Sequence, residues 1–114
     1  MNELKPIADI AALEAAIAES LERPVLLFKH SRTCGISLGA FDEVQMHLST
    51  EGRAAYKLIT VQSHRRVSDE ASLRLGIRHE TPQVILLRGG RPVWNASHFR
   101  ITADELSRAT IQHS

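Results

Sequence analysis

The chain has 114 residues, 43% of them hydrophobic and 24% charged, which is the size and balance of a single folded domain over residues 1–114 and not of a disordered, collagen-like or Gly/Pro-rich chain. Lys and Arg number 14 against 13 Asp and Glu, so no net field draws nucleic acid or an anionic membrane. A lone cysteine, Cys34, excludes an internal disulfide framework and a cysteine-built structural zinc site.

The first residues, Met1 to Pro6, carry no apolar core of the signal-peptide kind, and no run approaches 18 apolar residues, so a cytoplasmic, reducing setting is expected. A short strand is possible near Ile7. Ile10, Leu13, Ile17 and Leu21 then recur at helical spacing behind Asp9, which predicts a helix capped by Asp9 and ended before Pro24. Val25 to Phe28 is an apolar run of buried-strand length, followed by a polar break at His30-Ser31-Arg32-Thr33. Ser37, Phe41, Val44 and Leu48 restart a helical stripe, so Cys34 falls at or beside the first turn of a second helix.

Tyr56 to Val61 reads as another strand. Gln62 to Arg66 reads as a polar loop, and Ser68-Asp69-Glu70 as the opening of a third helix ended by Gly76. Val84 to Leu87, Gly89-Gly90 and Arg91 to Ala96 form a hairpin pattern whose turn tolerates positive φ, with Pro92 marking an edge strand. Arg88 and Arg91 are expected only to solubilise that turn. Thr102-Ala103-Asp104-Glu105 is a capping box for a last helix, with Ile101 and Leu106 as a hydrophobic staple. The expected fold is α/β, a mixed sheet flanked by helices that closes with a C-terminal β-hairpin and helix.

A lone cysteine is by default a small buried hydrophobe. The surroundings of Cys34 point elsewhere. It sits between a strand-and-loop segment and helix-forming sequence, where helix amides favour a thiolate, and Lys29, His30 and Arg32 add positive charge. Gly35 lets a partner thiol approach. In Cys34-Gly35-Ile36-Ser37 a serine stands where a dithiol motif has its second sulfur. Ser37 can donate only a hydrogen bond, so an external thiol must resolve any mixed disulfide, which is a monothiol mechanism.

Pro24 to Ser31, Thr33-Cys34-Gly35-Ile36-Ser37, Arg78 to Leu86 with Thr81-Pro82, and Val93-Trp94-Asn95-Ala96-Ser97-His98 together resemble the monothiol bacilliredoxins, thioredoxin-like proteins of the bacillithiol redox system. The family pattern has Pro after the cysteine, where this chain has Gly35. The resemblance implies a thioredoxin-like fold with Thr81-Pro82 as a cis-proline loop facing Cys34. It implies a thiol–disulfide oxidoreductase that removes bacillithiol from S-bacillithiolated client proteins through a Cys34 mixed disulfide. Bacillithiol would be a co-substrate with no bound cofactor, and free bacillithiol or a bacilliredoxin reductase would regenerate the thiol. Thr33, Gly35, Ser37, His30, Thr81 and Pro82 would support Cys34, while Arg32, His79, Arg65 and Arg66 are candidates for binding the carboxylates of bacillithiol.

The six histidines are scattered without ligand spacing, so no metal is expected. Trp94 is expected to pack rather than to stack on substrate. Two rival functions remain. Cys34-Gly35-Ile36-Ser37 also looks like the motif of monothiol glutaredoxins that share an iron–sulfur cluster, although Gly89-Gly90 lies in a hairpin turn and not at a helix start. A thioredoxin-like interaction module with an incidental cysteine is the other.

Overall fold

The computed structural model describes residues 3–50 and 53–114. In chain order the elements are β1 (Leu4–Pro6), α1 (Ile10–Glu19), β2 (Val25–His30), α2 (Gly35–Thr50), β3 (Ala55–Thr60), α3 (Arg65–Leu75), β4 (Gln83–Arg88), β5 (Arg91–Ser97), a 3-10 turn (His98–Arg100) and α4 (Ala103–Gln112). One sheet has the order β1-β3-β2-β4-β5. β1 and β2 run parallel to β3, while β4 runs antiparallel to both β2 and β5. The short strand expected near Ile7 is β1.

Both faces of the sheet are covered, which is why all six residues of β2 are buried and show no polar alternation. Leu26, Phe28 and Leu86 pack with Val44 of α2 and Leu106 of α4 on one face. Leu27, Ile59 and Ile85 pack with Leu13 of α1 and Val67 of α3 on the other. Burial of such side chains contributes about 1.5–3 kcal/mol each.

The helix ends follow local chemistry. Asp9 accepts a hydrogen bond from the Ala12 amide at 2.8 Å, and Thr102 accepts one from Glu105 at 3.2 Å. Ile101 and Leu106, the expected staple, are both buried. Gly76 ends α3 in the left-handed region at φ 65°, and Gly89 and Gly90 make the hairpin turn at φ 70° and 81°. The pairing slips between Leu86 and Leu87, leaving Val93 beside Pro92 as the extra residue of a bulge on the edge strand.

Four expectations need correction. α1 stops at Glu19, so Leu21 lies beyond the helix and is exposed; Ala16 takes the buried place instead. β2 runs past Phe28 to His30, because Lys29 and His30 are themselves buried. α3 begins at Arg65, three residues before Ser68, so Arg65 and Arg66 lie in a helical turn and the acids lie beyond it. Arg88 is structural: its guanidinium donates to the carbonyls of Ser20 and Leu21 at 3.0 and 3.1 Å. With Gly89 N–H on the Ser20 carbonyl and Gly90 N–H on its hydroxyl, it pins the hairpin to the end of α1.

Candidate functional site

Cys34 is partly exposed and immediately precedes α2, its carbonyl accepting from the Leu38 amide at 3.0 Å. The loop that delivers it leaves the C-terminal end of β2. Two side chains from elsewhere in the chain hold that loop. Ser37 is fully buried, and its hydroxyl accepts from the Ser31 amide at 3.1 Å, tying the start of the loop to the first turn of α2. Gln62, just after β3, accepts from the Arg32 amide at 3.1 Å and donates to the hydroxyls of Ser31 and Thr33 at 2.6 and 3.1 Å. Among the described residues no hydrogen bond joins Ser37 to the Cys34 sulfur, so Ser37 is seen here shaping the loop.

The Thr81–Pro82 bond is cis, as the resemblance implies. Gln83, the next residue, pairs with Lys29 in the sheet, which sets Thr81 and Pro82 level with the end of β2 from which the Cys34 loop departs. The Pro82 carbonyl accepts from the His98 amide at 3.0 Å. His98 is a non-glycine residue at φ 56°, a conformation that costs about 1–2 kcal/mol. Its turn carries Phe99, 81% exposed. Gly35, Ile36, Gly39, Glu43, His98 and Phe99 line a groove of about 260 Å³ at the start of α2. Glu43 also caps α4, accepting from the Ala103 amide at 2.9 Å.

His30 is not in the loop. It is buried at the end of β2, its ring 5.5 Å from Phe28 and 5.1 Å from Phe41, with Nδ1 lacking a hydrogen-bond partner. Burial pushes its pKa down, against the Ser37 backbone and with Arg32. His79 is half-buried and fully engaged: Nδ1 lies 3.2 Å from Lys29 Nζ and 3.4 Å from Ser68 Oγ, and Nε2 lies 3.2 Å from Thr81 Oγ1. Burial lowers its pKa, and the positive charges of Lys29 and Arg65 lower it further.

Arg32, Thr33 and Gly35 are exposed around Cys34. Arg65 and Arg66 line a different depression, of about 270 Å³, with Asp9, Ile10, Ser63 and His64. The fold thus brings together Cys34, Thr33, Gly35 and Ser37, with His30, Thr81 and Pro82 at the same sheet end; Arg65 and Arg66 follow Gln62 at the start of α3, where they line the separate depression and the charge of Arg65 reaches His79. Trp94 is partly buried against the α2 and α4 face of the sheet.

Lys29, expected as a positive charge beside Cys34, is instead buried and bonded to Ser72 and His79, and sequence reasoning missed Gln62 as a clamp and the Glu43–Phe99 groove. Nothing local to Gln62 marks it as a loop clamp, since its partners lie 29–31 residues away. Among the described residues no three His, Cys, Asp or Glu side chains converge as metal ligands, and no helix is long and apolar enough to cross a membrane.

Comparison with known proteins agrees with this geometry. A family profile described as monothiol bacilliredoxin BrxC matches residues 5–106. A solved structure described as a candidate oxidoreductase with a thioredoxin fold superposes with a TM-score of 0.84 at 30% identity, over 93% of this chain and 92% of its own. The thioredoxin of Fasciola hepatica is similar in fold at TM-score 0.78 and 16% identity, over 97% of this chain and all of its own (100%). That of Malassezia sympodialis is similar at TM-score 0.78 and 14% identity, over 99% and 92%. With its lone cysteine at the start of α2 and a cis-proline loop at the same sheet end, this chain belongs to the monothiol bacilliredoxin family and has the thioredoxin fold.

Proposed function

We propose that the protein is a monothiol thiol–disulfide exchange enzyme that removes bacillithiol from S-bacillithiolated proteins. The observation that carries this reading is a lone, partly exposed cysteine preceding α2, with Ser37 turned to holding the loop where a resolving thiol would stand. The Cys34 thiolate attacks the bacillithiol sulfur of the client disulfide. The client sulfur leaves as a thiolate, and Cys34 keeps a disulfide to bacillithiol. A second bacillithiol, or the thiol of a bacilliredoxin reductase, then attacks the bacillithiol sulfur and expels Cys34. Each step exchanges one S–S bond for another, so no external oxidant is consumed. A helix N-terminus supports the sulfur as the attacking and the leaving thiolate.

Thr33 and Gly35 leave the approach to Cys34 open, and Thr81 and Pro82 bound it. Exposed Arg32 beside the sulfur is the first contact for the carboxylates of bacillithiol. Arg65 and Arg66, further along past Gln62, form a second basic region, and His79 acts through Thr81. Intact mass spectrometry of a bacillithiolated client tests the reading. Wild-type protein should gain the bacillithiol mass as the client loses it, and Cys34→Ala should do neither. A client that keeps its adduct, together with visible absorbance of Cys34-dependent origin after anaerobic iron and sulfide reconstitution, would instead favour the cluster-binding reading.

A further inference from the structure

Lys29 is the most anomalous residue of the core. It lies in β2, the central strand, fully buried (0% exposed) on the sheet face that carries Leu27, Ile59 and Ile85. An ammonium in such a place is costly unless it is hydrogen-bonded. Lys29 Nζ donates to Ser72 Oγ of α3 at 2.7 Å and to His79 Nδ1 at 3.2 Å. An ammonium has no lone pair, so Nδ1 must be the bare nitrogen of His79 and the ring proton must sit on Nε2. That N–H then donates to Thr81 Oγ1 at 3.2 Å. A directed chain of hydrogen bonds thus runs from inside the sheet to the residue before Pro82. Pro82 is tied in turn to His98 of the groove that Gly35 and Ile36 line.

We propose that Lys29 is a positioning residue of the exchange site: its ammonium holds His79 as the Nε2–H tautomer, and through it holds the Thr81 hydroxyl and the Pro82 loop that bound the approach to Cys34. This deepens the thiol-exchange reading and rests on it for what the loop serves. Loss of the Lys29 proton gives Nζ a lone pair and removes the ammonium's constraint on Nδ1; the hydroxyl of Ser68, 3.4 Å from Nδ1, can donate or accept there, so His79 is free to change tautomer. Burial lowers Lys29 to about 8, with Asp69 of α3 pulling the other way, so this happens near physiological pH. The other charged groups facing the relay are Arg65 of α3 and Glu80 of the loop. The sheet neighbours of Lys29, Ile59 and Gln83, carry no charge.

The test combines nitrogen-15 NMR of the His79 ring with exchange kinetics between pH 6.5 and 9.5. Wild type should show the Nε2–H form at pH 7 and a mixture of tautomers with a midpoint near 8; Lys29→Met should show the mixture throughout. Transfer of bacillithiol from a client should slow about tenfold in Lys29→Met, the effect of a loosened approach, while alkylation of Cys34 by iodoacetamide stays within about twofold because it needs no docked partner. Ser72→Ala is the control, removing a partner of the same ammonium but leaving the path to Thr81; it should keep the wild-type tautomer and transfer rate. His79→Phe should match Lys29→Met, with no further loss in the double variant, and it stands in should Lys29→Met not fold. A wild-type tautomer in Lys29→Met, or equal losses in Ser72→Ala and Lys29→Met, would overturn the proposal. Absence of transfer by wild type would overturn the exchange reading instead, and the NMR arm would still decide the Lys29–His79 relation.

Discussion

At Gln62 one exposed amide holds three consecutive residues of the loop before the cysteine, accepting from Arg32 N–H and donating to Ser31 and Thr33 hydroxyls. Each such bond in water-exposed surroundings contributes about 0.5–1.5 kcal/mol net, and less when solvent competes freely. Its larger effect is on where Cys34 sits, since a misplaced nucleophile loses rate steeply. Gln62→Ala should therefore lower the melting temperature little and slow bacillithiol transfer about tenfold. Hydrogen exchange at the Arg32 amide should quicken in the same variant. Unchanged exchange and rate would mean that Ser37 alone holds the loop. Ser37 is the buried half of this clamp, and serine fits because its small hydroxyl reaches the Ser31 amide from inside the first turn of α2.

The elements divide into two ends with separate duties. β2 ends at the Cys34 loop, and its first residue, Val25, pairs with Leu87 beside the β4–β5 turn, so that turn lies at the opposite end of the sheet. There Gly90 is at φ 81°, its N–H bonded to the Ser20 hydroxyl, and an added Cβ would meet only Leu21 Cδ2 at 3.6 Å. The obstacle to a side chain is thus backbone conformation and not space, a cost of about 1–2 kcal/mol. Gly90→Ala should lower the unfolding free energy by that amount in urea titration and leave the transfer rate unchanged. A rate loss comparable to that of Gln62→Ala would show that the two ends are coupled.

At the scale of the whole molecule, burial of bases sets the response to pH. His30 is held below the ordinary histidine value by burial, and His79 by burial and then by Lys29. The unfolded chain, titrating near 6.5 at these residues, takes up protons that the folded state resists. Their effect on stability is thus absent above about 6.5 and grows unfavourable as pH falls below it. The melting temperature should be lower at pH 5.5 than at 7.5, and His30→Leu should narrow that gap. An unchanged gap would place the acid sensitivity elsewhere. Glu80, held down first by Ser97, titrates below this range and adds nothing to it. Lys29 has its own window: lowered from 10.5 to about 8, it costs stability at neutral pH, and that cost is relieved as pH rises from about 8 to 10.5.

Much of this was written locally. Asp9, Thr102, Gly76 and Gly89-Gly90 announce caps and turns because each acts on backbone within about four residues. The apolar runs announce covered strands, and Cys34 followed by helix-forming sequence and Ser37 announces a monothiol arrangement at a helix start. Where local reading stopped short, the deciding partner was distant. Lys29 reads as lying past the end of the strand until α3 supplies Ser72, 43 residues away, and the loop before Pro82 supplies His79, 50 residues away. The start of α3 is not legible locally, because arginines open its first turn and no side chain caps it. Composition and short-range pattern therefore determined the fold class, the caps and the place of the lone cysteine before a helix. Only the tertiary structure decided which polar groups are buried, what clamps the loop and which cations lie near Cys34, because sheet order brings those partners together and no periodicity along the chain encodes them.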